Sequence, residues 1–304
     1  KPWSSDMNKL VVAVLVILLV INIIGVYFLW EYRKIKGQAA SLQYSLDEAR
    51  GSVDRLTDAL DLTCQHRMVF LHHSVGSGLL YQGGLRDSLQ QLGISVRGAT
   101  YGDEIGQQTD IADWLPKFEN DLPRILTFKG HPDLYYKDGT ANDIVMFKSC
   151  FPNSQIESEG AAPGNPNSRE RTIANYKAVF DGLGREMRKY PNKLFVYLTY
   201  PPQVPSVTTP DHAARARQFN RWLIEEFLPS YQKETGLDNF VIFDLFDFLA
   251  DENNVLKTDY RVSSPNDSHP NERANREAAR KFMESFRPIR TNWLEHHGAG
   301  TARQ

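Results

Sequence analysis

Met68-Val69-Phe70-Leu71-His72-His73-Ser74-Val75-Gly76 is the stretch on which the fold turns. Four apolar residues in a row, ending at a turn, fit a short buried strand better than a helix. The run breaks into His-His-Ser-Val-Gly, and helical spacing follows from Leu79 to Leu92, stopped by Gly93. Ile94-Ser95-Val96 then reads as a second strand. Strand, helix, strand implies parallel pairing through a right-handed crossover.

The alternation continues downstream. Asp143 to Phe147 is a third strand, entering Lys148-Ser149-Cys150-Phe151-Pro152-Asn153. Arg169 to Tyr190 has helical spacing and is closed by Pro191. Leu194 to Leu198 is a fourth strand, ended by Pro201-Pro202, and Asp211 to Thr235 is a helix with Gly236 as its stop. Phe240 to Phe243 is the fifth strand, and Pro270 to Phe286 the last helix. No element is assigned to the long segment before the third strand, where His131-Pro132 reads as structural. Residues 160–168 read as a flexible surface loop, and the tail 291–304, with His296-His297, as poorly ordered. The expectation is an α/β three-layer sandwich with a mostly parallel five-stranded sheet, spanning 64–290.

Upstream the character changes. Leu10 to Trp30 is apolar, with one Asn, one Gly and no charge. That is about the ~20 residues needed to cross a bilayer as a helix. A signal peptide has a shorter apolar core and ends at small residues, so residues 1–32 read as a terminal segment with an uncleaved anchor. Lys9 precedes the run, and Arg33, Lys34 and Lys36 follow it, which by positive-inside counting keeps the rest in the cytoplasm. Residues 33–63 read as a helical stalk. Ile35, Ala39, Leu42, Leu46, Ala49, Val53, Leu56 and Leu60 alternate by four and three, the stripe of a coiled-coil seam. Homo-oligomerisation and a helix lying on its own domain both remain open.

The 304 residues carry a formal net charge of -2, which gives no electrostatic case for nucleic acid. The two cysteines, Cys64 and Cys150, form either one bridge or two free thiols. No His, Cys, Asp or Glu cluster has metal-ligand spacing, and no cofactor motif occurs, so metal and cofactors are expected to be absent.

In an open parallel sheet, reactive groups gather beyond the C-terminal strand ends. There the chain places Ser74 and, after the second strand, Tyr101-Gly102-Asp103-Glu104-Ile105-Gly106. Asn153 follows the third strand, and Ser264-Pro265-Asn266-Asp267-Ser268-His269-Pro270-Asn271 precedes the last helix. Singly, each has a bland reading. Ser74 and Asn153 suit turns, Asp267 or Ser268 suits a helix cap, and Pro270 suits a first helical turn. A serine hydroxyl nevertheless becomes a nucleophile when a neutral imidazole takes its proton and a carboxylate holds the imidazole. Ser74, His269 and Asp267 have the residue types for those roles.

The order Ser, Gly, Asn, His along residues 69–286 resembles the SGNH (GDSL-like) hydrolase superfamily. Residues 70–76 resemble its first block with His-His in place of Gly-Asp, residues 106–110 its second, 143–153 its third and 267–271 its last. The resemblance implies Ser74 as nucleophile and His269 as base. It implies an oxyanion hole from the backbone N–H groups of Ser74 and Gly106 and the amide of Asn153, with Gly102 as a rival to Gly106. The family places Asp three residues before its His, where this chain has Asn266. Asp267, Asn266 or neither therefore orients the imidazole. His73 reads as packed and hydrogen-bonded. Lys148 reads as near the site, pairing with a substrate group or with Asp103 or Glu104. Cys150 is a nucleophile by residue type alone. The expected activity is hydrolysis of carboxylic esters, O-acetyl groups on carbohydrate among them, through an acyl-enzyme. The alternatives are an O-acyltransferase and a non-catalytic scaffold in a membrane complex. The resemblance also favours an extracytoplasmic domain, against the charges that follow the apolar run.

Overall fold

The structure, a computed structural model, describes residues 64–131 and 133–297, with a few helical positions between 31 and 38. The chain divides into two units, 1–59 and 60–304. The apolar run over 10–30 and almost all of the expected stalk lie outside the described residues. Among those described, no helix is long and apolar enough to cross a membrane.

The described strands of the second unit are β1 (His66–Leu71), β2 (Ile94–Ala99), β3 (Phe128–Gly130), β4 (Leu134–Tyr135), β5 (Ile144–Lys148), β6 (Leu194–Leu198) and β7 (Phe240–Phe243). Five form one sheet in the order β2-β1-β5-β6-β7, each neighbouring pair parallel. β3 and β4 make a small antiparallel pair. The helices are α1 (Ser74–Ser77), α2 (Leu85–Gln91), α3 (Ile111–Thr127), α4 (Ile173–Met187), α5 (Pro210–Trp222), α6 (Leu228–Thr235), α7 (Leu245–Leu249) and α8 (Glu272–His297).

Strand alternation sorts the apolar residues into two cores. Met68, Phe70, Ile144, Met146, Leu194 and Val196 point to one face. There they meet Leu85 and Leu89 of α2, Leu245 of α7, and Ala278 and Phe282 of α8. Val69, Leu71, Val145, Phe147, Phe195 and Tyr197 point to the other. They meet Trp114 and Phe118 of α3, Phe180 of α4 and Phe219 of α5. Both faces are therefore covered, which is why these strands read as unbroken apolar runs.

Several boundaries differ from the sequence expectations. The helix expected over 79–92 starts at Ser74, passes through a π turn at Gly78–Gln82 and breaks at Gly84, whose φ of 68° is left-handed. The helix expected from Arg169 begins at Ile173, because the Thr172 side chain caps it by accepting from the Asn175 N–H. The last helix starts at Glu272 and runs to His297, into the tail expected to be poorly ordered. Its apolar stripe continues through Phe282, Phe286 and Trp293, all buried. α3 has no counterpart among the sequence expectations, since Pro116 and Pro123 each remove an N–H donor and normally end a helix. It forms because its buried face supplies Ile111, Trp114, Leu115, Phe118, Leu122 and Ile125 to the core. A reciprocal cap between Asp110 and Asp113 secures its start.

Gly76 fixes how the first helical turn leaves the sheet. A Cβ there would lie 2.3 Å from the Cβ of His72. Only glycine lets the turn that carries Ser74 fold back over β1. Gly76→Ala should therefore lower unfolding free energy by about 1–3 kcal/mol in urea titration, the usual range for overpacking.

Candidate active site

The strand order reverses between β1 and β5, so a crevice opens beyond their C-terminal ends. β1 ends at Leu71, His72 and His73 carry the chain out of the sheet, and Ser74 stands in the crevice as the first residue of α1. Its N–H precedes the first intrahelical acceptor. Across the crevice, the loop before α8 presents His269.

The Ser74 hydroxyl donates to His269 Nε2 at 2.7 Å. That leaves Nδ1 to carry the proton, and it meets Asp267 Oδ1 at 2.5 Å. The same carboxylate oxygen accepts the His269 backbone N–H at 2.9 Å. This Asx-type turn explains how a two-residue separation works: the loop closes on itself, and Asp267, not the exposed Asn266, reaches the ring. The His269 backbone N–H holds the Asp267 carboxyl below its ordinary pKa; slight burial opposes this, and the ring's bond and charge reinforce it. Buried Ser268 pins the loop by accepting the Val204 N–H, and the Phe151 ring meets the imidazole edge-on at 5.0 Å.

The remaining polar residues of the crevice are largely bound to one another. His73 Nε2 donates to the Gly106 carbonyl at 2.9 Å, and its Nδ1 lies 3.1 Å from the Thr109 hydroxyl. Gly106 donates its own N–H to the Asp103 carbonyl, and a Cβ there would lie 2.2 Å from the Thr100 oxygen. Gly102, by contrast, has open space around it and a φ of 92°, so it serves the turn. Asn153 is buried. Its amide donates to Asp110 Oδ1 at 2.8 Å and to the Cys150 carbonyl at 3.2 Å, while its oxygen accepts the Ile111 N–H. It thus clamps β5 to the start of α3. Lys148 is fully buried, with Nζ 4.0 Å from Cys150 Sγ, and pairs with neither Asp103 nor Glu104; Glu104 instead pairs with Arg124. Neither Cys64 nor Cys150 is in a disulfide.

Sequence reasoning passes over Tyr101. Its ring stacks on His73 with centroids 3.8 Å apart. Its hydroxyl reaches both the side chain and the backbone of Ser74. Burial and the nearby Cys150 push the phenol up, and hydrogen bonds from Ser74 pull it partly back. A backbone contact that favours phenolate is an N–H donor, so the hydroxyl lies at the Ser74 amide. An exposed tyrosine two residues past a strand end is the available signal. A cavity of about 490 Å³ adjoins Ser74 and His269, walled by Tyr81, Gln82, Val262 and Asn275. Among the described residues, no group of three His, Cys, Asp or Glu side chains could hold a metal.

No family model matches the chain, and no curated protein matches it. Solved structures that resemble it are acylhydrolases and lipases of the G-D-S-L type. A Bacteroides fragilis NCTC 9343 protein, described provisionally as an acylhydrolase, is 14% identical with a TM-score of 0.45, covering 75% of this chain and 88% of that one. A GDSL-like lipase from Bacteroides thetaiotaomicron VPI-5482 is 14% identical with a TM-score of 0.40, covering 72% and 88%. A lipolytic G-D-S-L protein from Desulfitobacterium hafniense DCB-2 is 12% identical with a TM-score of 0.40, covering 72% and 99%. Likeness at this level says nothing of activity; the chemistry rests on the site's own atoms.

His72 lies beneath the nucleophile turn, 1% exposed, its Nδ1 donating to the His73 carbonyl. Burial lowers its pKa to about 4. The unfolded chain, with histidine near 6.5, binds the extra proton first. Stability is then full above about pH 6.5 and falls as pH drops toward 4, by up to ~3 kcal/mol at 1.4 kcal/mol per pH unit. Urea unfolding across that window should show the slope, and His72→Asn should flatten it.

Proposed function

We propose that this chain is a serine hydrolase of carboxylic esters, with Ser74 as nucleophile, His269 as base and Asp267 as the group that orients it. The unbroken line from Ser74 through His269 to Asp267, at 2.7 and 2.5 Å, carries the reading. A serine, an imidazole and a carboxylate need that geometry for attack at neutral pH. The ester carbonyl enters the crevice beside Ser74. Ser74 Oγ bonds to its carbon as the proton passes to His269 Nε2, and the carbonyl electron pair moves onto oxygen. Collapse of this tetrahedral species breaks the bond to the alcohol, which leaves with the proton from Nε2. Water then repeats the sequence on the acyl-enzyme, with His269 again as base. Asp267, held ionised, keeps the proton on Nδ1 and stabilises the imidazolium.

An O-acetyl ester suits the layout because the acyl part is small, and the 490 Å³ cavity is free for a larger alcohol such as a sugar. The apolar run over 10–30 supports a membrane-anchored setting for the domain, with extracytoplasmic placement resting on the family resemblance alone.

Ser74→Ala should abolish hydrolysis of p-nitrophenyl acetate and labelling by a fluorophosphonate, with an unchanged circular dichroism spectrum. Turnover that persists in this variant removes Ser74 from the reaction. Asp267→Asn should lower kcat on the order of 10²–10⁴-fold, because an amide does not hold the required tautomer.

A further inference from the structure

We infer that the Tyr101 hydroxyl is an oxyanion donor of this site, acting beside the Ser74 N–H, and is therefore a catalytic residue. The inference rests on the serine-hydrolase reading and deepens it. An oxyanion forms one bond away from the carbon that Ser74 Oγ attacks. Its donors must lie about 2.7–3.1 Å from it. That requirement places it where the Ser74 N–H points.

The donors expected from the family resemblance are occupied. The Gly106 N–H closes a turn onto the Asp103 carbonyl. Both amide hydrogens of Asn153 are bonded, one to Asp110 and one to the Cys150 carbonyl, and the residue is 2% exposed. Releasing either would leave buried partners unsatisfied, at roughly 1–3 kcal/mol each.

The Tyr101 hydroxyl, in contrast, already sits at the Ser74 hydroxyl and N–H. Since Ser74 donates its own proton to His269, the phenol O–H is the donor toward Ser74 Oγ and its oxygen accepts the Ser74 N–H. It stands in for the oxyanion while the site is empty. The ring is aimed by stacking on His73, an imidazole pinned at both nitrogens. The turn beneath it is held by the Thr100 N–H donating to Asp103 Oδ2 and the Asp103 N–H donating to the Thr100 carbonyl. With 61% of the residue exposed, the ring has room to recoil and admit a carbonyl oxygen between its hydroxyl and the Ser74 N–H. The O–H then turns from Ser74 Oγ to that oxygen. No proton is transferred. A raised phenol pKa keeps the donor protonated at neutral pH.

The test compares the full chain with Tyr101→Phe and Tyr101→Ala on p-nitrophenyl acetate, alongside fluorophosphonate labelling. Tyr101→Phe keeps the ring and its stacking and removes only the hydroxyl. Its kcat should fall roughly 10²-fold with KM nearly unchanged, the pattern of a contact made only in the transition state. Tyr101→Ala should fall at least as far. If Tyr101→Phe turns over as fast as the parent or faster, the hydroxyl is a plug or a bystander, and the inference is overturned. A loss confined to Tyr101→Ala also overturns it, since the ring would then act as a platform. A parent protein that neither labels nor hydrolyses the ester sinks the serine-hydrolase reading together with this one, so the two failures are told apart.

Discussion

The hydrogen bond from Ser74 to His269 joins residues 195 positions apart, and the arrangement of the crevice depends on it. One partner rides on the turn that leaves β1, the other on the loop that enters α8. Both ends are held by contacts that have no chemistry of their own. Gly76 lets the first turn lie against His72. Ser268 and Asn271 tie the second loop to backbone at Val204, Asp259 and Arg261. A displacement of about 1 Å at either end would open this bond beyond useful range.

Most of the polar residues gathered at the strand ends act as struts. Buried donors and acceptors must find partners, and here they find each other: His73 with Gly106 and Thr109, Asn153 with Asp110 and Ile111, Trp114 with Ser149. This network makes the floor of the crevice rigid and uses up amides that would otherwise face a substrate. Tyr101 stands outside it, stacked on one strut and reaching the nucleophile.

Charge beneath the site is muted by burial. Burial favours the neutral forms of His72 and Lys148. For Cys150, burial works to raise the thiol, but Lys148 and His73 together outweigh it and the net shift is downward. The working imidazole is in a different setting, with 39% of its side chain open to solvent and a carboxylate at its back. Two kinds of histidine thus flank the nucleophile turn, and depth in the fold separates them.

The fold was largely legible in the residues themselves. Short apolar runs with helical spacing between them specify parallel strands covered on both faces, because alternate side chains must bury on opposite sides. The serine and histidine were legible too, as polar residues at strand ends. Other features were decided only by tertiary structure. α3 forms despite two prolines because its apolar face is buried, which local propensity does not register. Asp267 outcompetes Asn266 because a turn closes through the His269 N–H. Asn153 and Gly106 are occupied by partners 43 and 3 residues away, and no spacing rule shows whether a donor is already taken. Residue type states what a group is able to do; only the folded chain decides which of its hydrogen bonds remain to be made.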